Sequence, residues 1–268
     1  MIGLNVRKVC WILLLMAMLF CVSCQWQLKL NGSDSDDAPL KIERYDRIET
    51  LYLTTGDYSA LQQMNTSYPM QTRMLIEDML RIGKVDDPEI NTKFLRFFQD
   101  STLQTLLSDV QQQFADIEDL NTDLSAAFAK LREELPDIDI PQIYTQIGSF
   151  DQSIVVGNNT LGISLDKYLG VDYPFYRENY TDEQRQMMVR SMIVPDCLGF
   201  YLLSLYPLPH YNELSQAERD HHMGKIQWVV NHVMGRMIFT NEHVDKVGKL
   251  MNQNTKLTID GLLSSKSI

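Results

Sequence analysis

The first 24 residues constrain this chain more than any other feature, because they decide where the remainder folds. Arg7 and Lys8 give a positively charged start, and the stretch 9–20 behind them is uncharged and apolar. This order of features is typical of an export signal. The apolar stretch is shorter than the roughly 20 residues that a comfortable membrane span needs, so removal of the segment is favoured over an uncleaved membrane anchor.

A cysteine motif closes this segment. Cys24 follows the small residue Ser23, as in a lipoprotein signal, although Cys21 stands where leucine is usual. We expect cleavage before Cys24, which makes residues 1–23 a signal peptide, then thioether lipidation of Cys24 and acylation of the new amino terminus. Two or more acyl chains hold a protein stably on a membrane surface, so lipid-anchored attachment without a membrane span is predicted. Cleavage by an ordinary signal peptidase is the alternative.

Removal of the signal peptide also limits the cysteine chemistry. Cys10 and Cys21 leave with it and Cys24 carries the lipid, so only Cys197 remains. An internal disulfide and a cysteine-based zinc site are therefore excluded in the mature chain. Cys197 lies in the apolar context VPDCLGFYLL, which predicts a small buried hydrophobic residue rather than a nucleophile.

The charge balance narrows the classes of partner. The chain carries a formal net charge of −11, and loss of Arg7 and Lys8 with the signal peptide takes it to −13. No cluster of lysine and arginine offsets this acidic surface, which repels phosphate backbones, so nucleic-acid binding is disfavoured. The 44 % hydrophobic content is that of a packed globular protein. After Cys24, no apolar stretch reaches membrane-spanning length.

Two segments follow the signal peptide. Residues 24–39 begin at the lipidated cysteine and carry Asp34, Asp36 and Asp37 among serines and a glycine, which predicts an acidic flexible tether. Residues 40–268 are expected to fold as a single domain.

Apolar residues at helical spacing predict most of the secondary structure of this domain. They favour helices over 70–82, 90–114 and 120–131. Asp87 is expected to be the N-cap of the second helix, with Pro88 at its first position.

Other local signals mark a strand and further helix starts. Residues 41–54 show partial alternation, which indicates a short strand. Thr181 and Ser215 each open a capping box, and Asn241 is expected to cap the last helix.

β-Branched residues are concentrated between 142 and 166. The sequence GNN at 157–159 separates two short runs of this kind and is typical of a hairpin turn. We expect three strands here, in one small sheet. The predicted fold class is therefore α+β, predominantly helical, with a small antiparallel β-sheet in the middle.

Three segments resemble a known family. They are KIERYD at 41–46, GISLDKYLGVDYPFY at 162–176 and MIVPDCLGFYLLSLYP at 192–207. Together with the lipoprotein signal, they resemble the gliding-motility lipoprotein B (GldB-like) family of Bacteroidota. The resemblance implies a cell-envelope lipoprotein on the outer membrane, facing the periplasm or the surface, with other envelope proteins as partners. In gliding members the family is linked to cell movement and secretion.

The same family is distantly similar to zincin-type peptidases, in which an edge strand precedes a helix bearing HExxH. The similarity would place that strand at 161–165. Pro195, Asp196 and Gly199 would stand at the positions of the first histidine, the glutamate and the second histidine. The resemblance thus implies a degenerate zincin-like site with no catalytic zinc or other cofactor. Pro195 would begin a helix behind the sheet, with no histidine near Asp196.

Two alternatives to a non-catalytic role stay open on the residues alone. Glu218 and His222 lie one helical turn apart and His210 could add a ligand, which would suit a divergent metal-dependent, peptidase-like hydrolase. A solvated helical turn explains the same residues. The aromatic residues at 173–180 could line a groove for a glycan or peptide, although packing is the commoner reason for such a cluster.

Two smaller features complete the candidate sites. Ser101, in the sequence Asp100-Ser101-Thr102, fits a short O-glycosylation motif and would need an exposed position at a helix junction. Asp166 and Asp172 could act as paired carboxylates, but ordering turns is their expected role. The sequence therefore predicts a non-catalytic envelope lipoprotein with a protein-interaction or structural role, and not an enzyme.

Overall fold

The structure, a computed structural model, describes residues 40–265. The predicted signal peptide over 1–23 and tether over 24–39, with Cys24, lie outside this range. The α-helices are α1 (Tyr45–Thr55), α2 (Tyr58–Ser67), α3 (Pro69–Arg73), α4 (Ile90–Phe97), α5 (Ser101–Gln113), α6 (Glu118–Glu134), α7 (Pro174–Asn179), α8 (Asp182–Met187), α9 (Ile193–Leu205), α10 (Gln216–Met234), α11 (Glu242–Gln253) and α12 (Ile259–Ser264). The strands are β1 (Gln142–Gln146), β2 (Ile154–Gly157) and β3 (Thr160–Ser164). The predominantly helical α+β fold is confirmed.

The sheet is mixed, with the strand order β1–β3–β2. β2 and β3 form the predicted antiparallel hairpin, whereas β1 pairs with β3 in parallel. The prediction of a wholly antiparallel sheet was therefore wrong. Two chain reversals separate β1 from β3, so the two strands run in the same direction, and β1 pairs with β3 rather than with its neighbour in sequence.

Helix α1 occupies the segment predicted to hold a short strand. Its buried side chains include Tyr45, Glu49, Tyr52 and Leu53, a spacing that places them on one face of a helix. The only strand-like contact within residues 41–54 is a single bridge from Glu43 to β1. Two of the buried positions in α1 are acidic, so the buried face of this helix is not apolar throughout. The spacing of apolar residues alone therefore did not indicate a helix here.

Two predicted helix boundaries also shifted, and the helix predicted over 90–114 is divided at 98–100 into α4 and α5. Helix α3 continues as a π-helical turn, Met74–Met79, rather than as α-helix to residue 82. The next helix begins at Ile90 and not at Pro88. Asp87 accepts a hydrogen bond from the Glu89 N–H, so its carboxylate closes a turn ahead of the helix instead of capping it.

The capping predictions in the second half of the chain are confirmed. Thr181 and Ser215 each form a complete capping box, and the Asn241 side chain accepts hydrogen bonds from two N–H groups at the start of α11. These interactions satisfy donors that the first turn of a helix leaves free.

Helix α9 packs against β2 and β3, and α1 packs against β1. Helix α9 begins at Ile193, so Pro195 lies within its first turn rather than starting it. Cys197 is fully buried, as predicted. Within residues 40–265, none of the helices combines the length and the apolar character that crossing a membrane requires.

Candidate functional site

Three carboxylates lie in the interior where the carboxyl ends of β1 and β3 meet. Helix α1 contributes Asp46 and Glu49, which share one helix face because they are three residues apart. Asp166 follows β3 directly, in the short 3₁₀ turn Leu165–Lys167. All three side chains belong to residues with 0 % exposure, although burying a carboxylate is costly unless it is paired.

Asp46 is paired with a cation. Its two carboxylate oxygens accept hydrogen bonds from Nε and Nη2 of Arg44, both at 2.8 Å. The Thr145 hydroxyl of β1 donates to the same carboxylate at 2.5 Å. A forked arginine contact of this kind is among the strongest ion-pair geometries, so Asp46 ties the start of α1 to β1.

Glu49 and Asp166 bind backbone instead of a cation. Glu49 Oε2 accepts a hydrogen bond from the Ile147 N–H at 2.9 Å. Asp166 Oδ1 accepts from the Gly148 N–H at 2.7 Å, and Oδ2 accepts from the Phe150 N–H at 2.6 Å. Three N–H groups of the loop that leaves β1 are therefore held by two buried acids.

The loop between β1 and β2 needs this support. Ser149 and Phe150 have φ angles of 52° and 68°, in the left-handed region that residues other than glycine rarely adopt. Such conformations persist only where the surroundings impose them. We conclude that the hydrogen bonds to Glu49 and Asp166 hold the loop in this shape.

Burial changes the acidity of these two groups. Removal from water raises the pKa of Glu49 well above its usual value, with the Ile147 N–H lowering it and the charges of Asp46 and Asp166 raising it further. Burial likewise raises the pKa of Asp166, against the lowering effect of its backbone hydrogen bonds. Glu49 Oε1 makes no hydrogen bond within residues 40–265, which fits a protonated Glu49 better than an ionised one.

The predicted degenerate motif lies in the first two turns of α9. Pro195 is buried, Asp196 is half-buried, and Gly199 has open space where a side chain would project. The Tyr168 hydroxyl donates a hydrogen bond to Asp196 Oδ2 at 2.7 Å. Burial raises the pKa of Asp196 to about 6, against the lowering effect of this hydrogen bond. Burial also raises the pKa of the neighbouring Cys197 thiol, which makes it a poor nucleophile.

The strand assigned to the zincin edge is in the wrong place for that role. The segment 161–165 belongs mostly to β3, which is the central strand, and the sheet edges are β1 and β2. The hairpin places β2 at the edge of the sheet and β3 in its centre. The order of the strands along the sequence does not show which of them lies at the edge.

The histidine candidates do not come together. The His210 side chain is 75 % exposed. Glu218 accepts hydrogen bonds from the Ser215 N–H and hydroxyl in a capping box. His222 is 8 % exposed, and burial lowers its pKa. Between residues 40 and 265, no group of three or more His, Cys, Asp or Glu side chains is arranged to hold a metal ion.

The aromatic cluster at 173–180 is packed rather than open. The Phe175 ring stacks on Phe150 with ring centres 3.9 Å apart, and Tyr176 makes edge contacts with Tyr173 and Tyr180. The Tyr173 hydroxyl donates to Asp109. The rings therefore pack on one another, as the commoner explanation of such a cluster expects, and this contact disfavours the alternative of a groove at 173–180.

The remaining sequence candidates are separate from this region. Asp166 is buried and accepts hydrogen bonds from loop N–H groups, which fits the expected role of ordering a turn, while Asp172 is exposed. Ser101 is exposed and is the first residue of α5, with Asp100 as the N-cap, which meets the condition set for O-glycosylation. Its modification stays a prediction.

Asp46 and Glu49 were not among the candidate residues predicted from the sequence. The segment that holds them was interpreted as a short strand, and charged residues are rarely buried. The available signal was the position of Glu49 between Tyr45 and Tyr52, at helical spacing from both and therefore on the buried face.

The described part of the chain is thus a mostly helical α+β domain whose buried acids organise its own backbone. The family model described as gliding motility protein GldB matches residues 26–240, about four-fifths of the chain. The chain belongs to this family, and membership supports a gliding-motility-associated lipoprotein of the cell envelope. No curated protein and no solved structure matches the chain.

Proposed function

We propose that this protein is a non-catalytic lipoprotein of the cell envelope. A lipid on Cys24 anchors it to the outer membrane, and its folded domain contacts other envelope proteins of the motility or secretion machinery. Family membership supports the envelope and motility part of this proposal. The acidic tether over 24–39 gives the domain reach above the membrane, up to roughly 3.3–3.6 Å per residue.

One observation carries the non-catalytic part. The acids best placed for acid–base work already have partners within the protein: Glu49 and Asp166 hold loop N–H groups, and Asp196 accepts from the Tyr168 hydroxyl. A general base must also be within reach of its substrate, and Glu49 and Asp166 have no exposed surface. Side chains engaged in this way serve stability instead, which favours a scaffold or docking role.

Neither alternative function gains support from a specific contact. Glu218 serves as a cap and His210 is solvent-exposed, which disfavours the metal-dependent hydrolase. The Tyr173–Tyr180 rings are packed, which disfavours a glycan site at that position.

The lipid anchor is tested by replacing its cysteine. In cells fed labelled palmitate, Cys24→Ala should abolish the label and either release the protein from membranes or leave the precursor uncleaved. Cys21→Ala is the matched control and should keep the label. A correctly processed Cys24→Ala protein that stays on the membrane would refute the anchor.

The non-catalytic role is tested by complementation of a deletion strain. Asp196→Asn keeps a hydrogen-bond acceptor for Tyr168 but removes the ionisable group. We expect this variant to restore the wild-type phenotype fully, whereas Cys24→Ala should not. If Asp196→Asn is stably present on the membrane yet fails to complement, the carboxyl group has a chemical role and the proposal is wrong.

A further inference from the structure

The outer edge of β2 is unpaired. The Ser164 N–H donates a hydrogen bond to the Ser153 carbonyl. This bond fixes which residues of β2 direct their backbone groups towards β3, because the direction alternates from one residue to the next. The backbone groups of Val155 and Gly157 therefore point towards β3, and those of Ile154 and Val156 point away from it. Within residues 40–265, these outward N–H and C=O groups make no hydrogen bond.

The two edges of the sheet differ in this respect. At the β1 edge, Glu43 pairs with Tyr144, with hydrogen bonds from the Glu43 N–H to Ile143 and from the Thr145 N–H to Glu43. The β1 edge is thus partly covered by the chain itself. The outward backbone groups of β2 have no such partner, and unpaired groups along a strand edge are a template for another strand.

A cavity of about 750 Å³ adjoins the end of β2. Val156 and Gly157 line one side of it, and Tyr201 and Tyr206 of α9 line another. A chain laid along the β2 edge would therefore pass the mouth of this cavity near Val156.

The cavity is acidic. Asp137, Asp139 and Asp260 line it, and no lysine, arginine or histidine does. Asp260 accepts a hydrogen bond from the Tyr206 hydroxyl at 2.9 Å. The carboxylates of Asp137 and Asp139 make no hydrogen bond to any residue between 40 and 265. The charge of this cavity is complementary to a cationic side chain.

We infer that β2 and this cavity form a docking surface for an extended, basic segment of a partner protein. The segment adds to β2 as a fourth strand and places a lysine or arginine side chain among the three carboxylates. Main-chain pairing supplies affinity, and the cavity selects the side chain. This inference rests on the proposed protein-interaction function and names the surface and the chemistry of the partner.

The geometry sets the length of the docked segment. Ile154 and Val156 offer two N–H and two C=O groups, which pair with about four residues of an extended chain. Successive side chains of that segment face opposite sides of the sheet, so a single basic residue can enter the cavity while its two neighbours face away.

The test uses full-length lipidated protein in detergent and fluorescein-labelled peptides read by anisotropy. The octapeptide TVTKTVTV should bind, and TVTETVTV should bind about tenfold more weakly or not at all. The first peptide methylated on alternate backbone nitrogens should lose binding, because it cannot donate to the edge. Added salt should weaken the lysine peptide more than it weakens a peptide with neutral glutamine in place of lysine.

Variants separate the two halves of the surface. Asp137→Asn with Asp139→Asn should weaken the lysine peptide about three- to tenfold and leave the glutamine peptide unchanged. Asp151→Asn with Asp172→Asn makes the same change of charge at exposed acids outside the cavity, and is the matched control. Val156→Pro removes one outward donor from an edge strand that tolerates proline, and should weaken both peptides.

Three results would overturn the inference. The first is that the methylated peptide binds as tightly as the unmethylated one. The second is that both aspartate double variants weaken the lysine peptide equally, and the third is that no peptide binds. Self-association of the wild type that Val156→Pro abolishes would assign the edge to a second copy and also refute it. Photo-crosslinking of the protein to envelope proteins in cells distinguishes failure of this inference from failure of the proposed function. If crosslinking persists in all these variants, the inferred docking surface is refuted while the proposed function stands.

Discussion

The two ends of the β-sheet use the same kind of side chain in opposite ways. At the carboxyl ends of β1 and β3, the acids Glu49 and Asp166 are buried and bonded to loop N–H groups. At the hairpin end, Asp137 and Asp139 are exposed around an open cavity. The difference shows that the role of a carboxylate is set by its solvent access and its partners, so one end stabilises the fold while the other keeps its carboxylates exposed to solvent.

The largest expected effect is at the buried end. Asp166→Ala would leave the Gly148 and Phe150 N–H groups without acceptors inside the protein, and each lost partner costs about 1–3 kcal/mol. We expect the free energy of unfolding to fall by roughly 2–5 kcal/mol in urea titrations. Asp172→Ala, at an exposed acid, should leave it unchanged. If the two variants were equally stable, Asp166 would not hold the loop.

Glu49 should make stability depend on pH. Its pKa is raised in the folded state, so between the usual glutamate pKa and the raised value the unfolded chain is ionised while the folded protein keeps its proton. The contribution of Glu49 to the free energy of unfolding is fully present at low pH. It falls as pH rises through that window, by at most about 1.4 kcal/mol per pH unit.

Glu49→Gln isolates this contribution. Glutamine keeps an acceptor for the Ile147 N–H and cannot ionise. We expect the variant to lose stability less steeply than wild type as pH rises above the usual glutamate pKa, as measured by urea unfolding across pH. A variant as steep as wild type would show that Glu49 ionises normally inside the fold.

A smaller effect is expected at Asp196, in the first turn of α9. Asp196→Ala removes the acceptor for the Tyr168 hydroxyl and should lower the unfolding free energy by about 1–2 kcal/mol. Because the pKa of Asp196 is raised to about 6, its contribution falls as pH rises from about 4 to 6. Asp196→Asn should flatten stability in that window, and an unchanged slope would contradict the raised pKa.

The smallest effect on stability is expected at the hairpin end. Asp137→Asn with Asp139→Asn removes two exposed charges that have no hydrogen-bond partner between residues 40 and 265, so the melting temperature should not fall. Relief of repulsion among the cavity carboxylates could raise it slightly. A clear loss of stability would mean that these acids serve the fold, and the contrast between the two ends would fail.

Much of the helical framework could be predicted because its signals are local. Thr181, Ser215 and Asn241 cap helices through contacts that reach only two or three residues along the chain. The same reasoning failed at Asp87, where a turn competed with the cap for the same carboxylate. Local chemistry thus identified the helices better than it located their ends.

The candidate site was predicted only in part. The sequence pointed to Asp196 and to the burial of Cys197, but it grouped His210 with Glu218 and His222, which the fold does not bring together. It also gave no reason to join Glu49 to the loop after β1, since 98 residues separate Glu49 from Ile147. Contacts over such a distance leave no periodic pattern to read.

The sequence by itself determined the lipoprotein signal prediction, the single cysteine left after residue 24, the α+β class and the resemblance to the family to which the chain belongs. Tertiary structure alone decided that β1 pairs with β3, that β2 is an edge strand, and which acids are buried. The physical reason is one of range. Capping and helical periodicity act within a turn or two, whereas strand pairing and desolvation depend on segments that only the folded chain brings into contact.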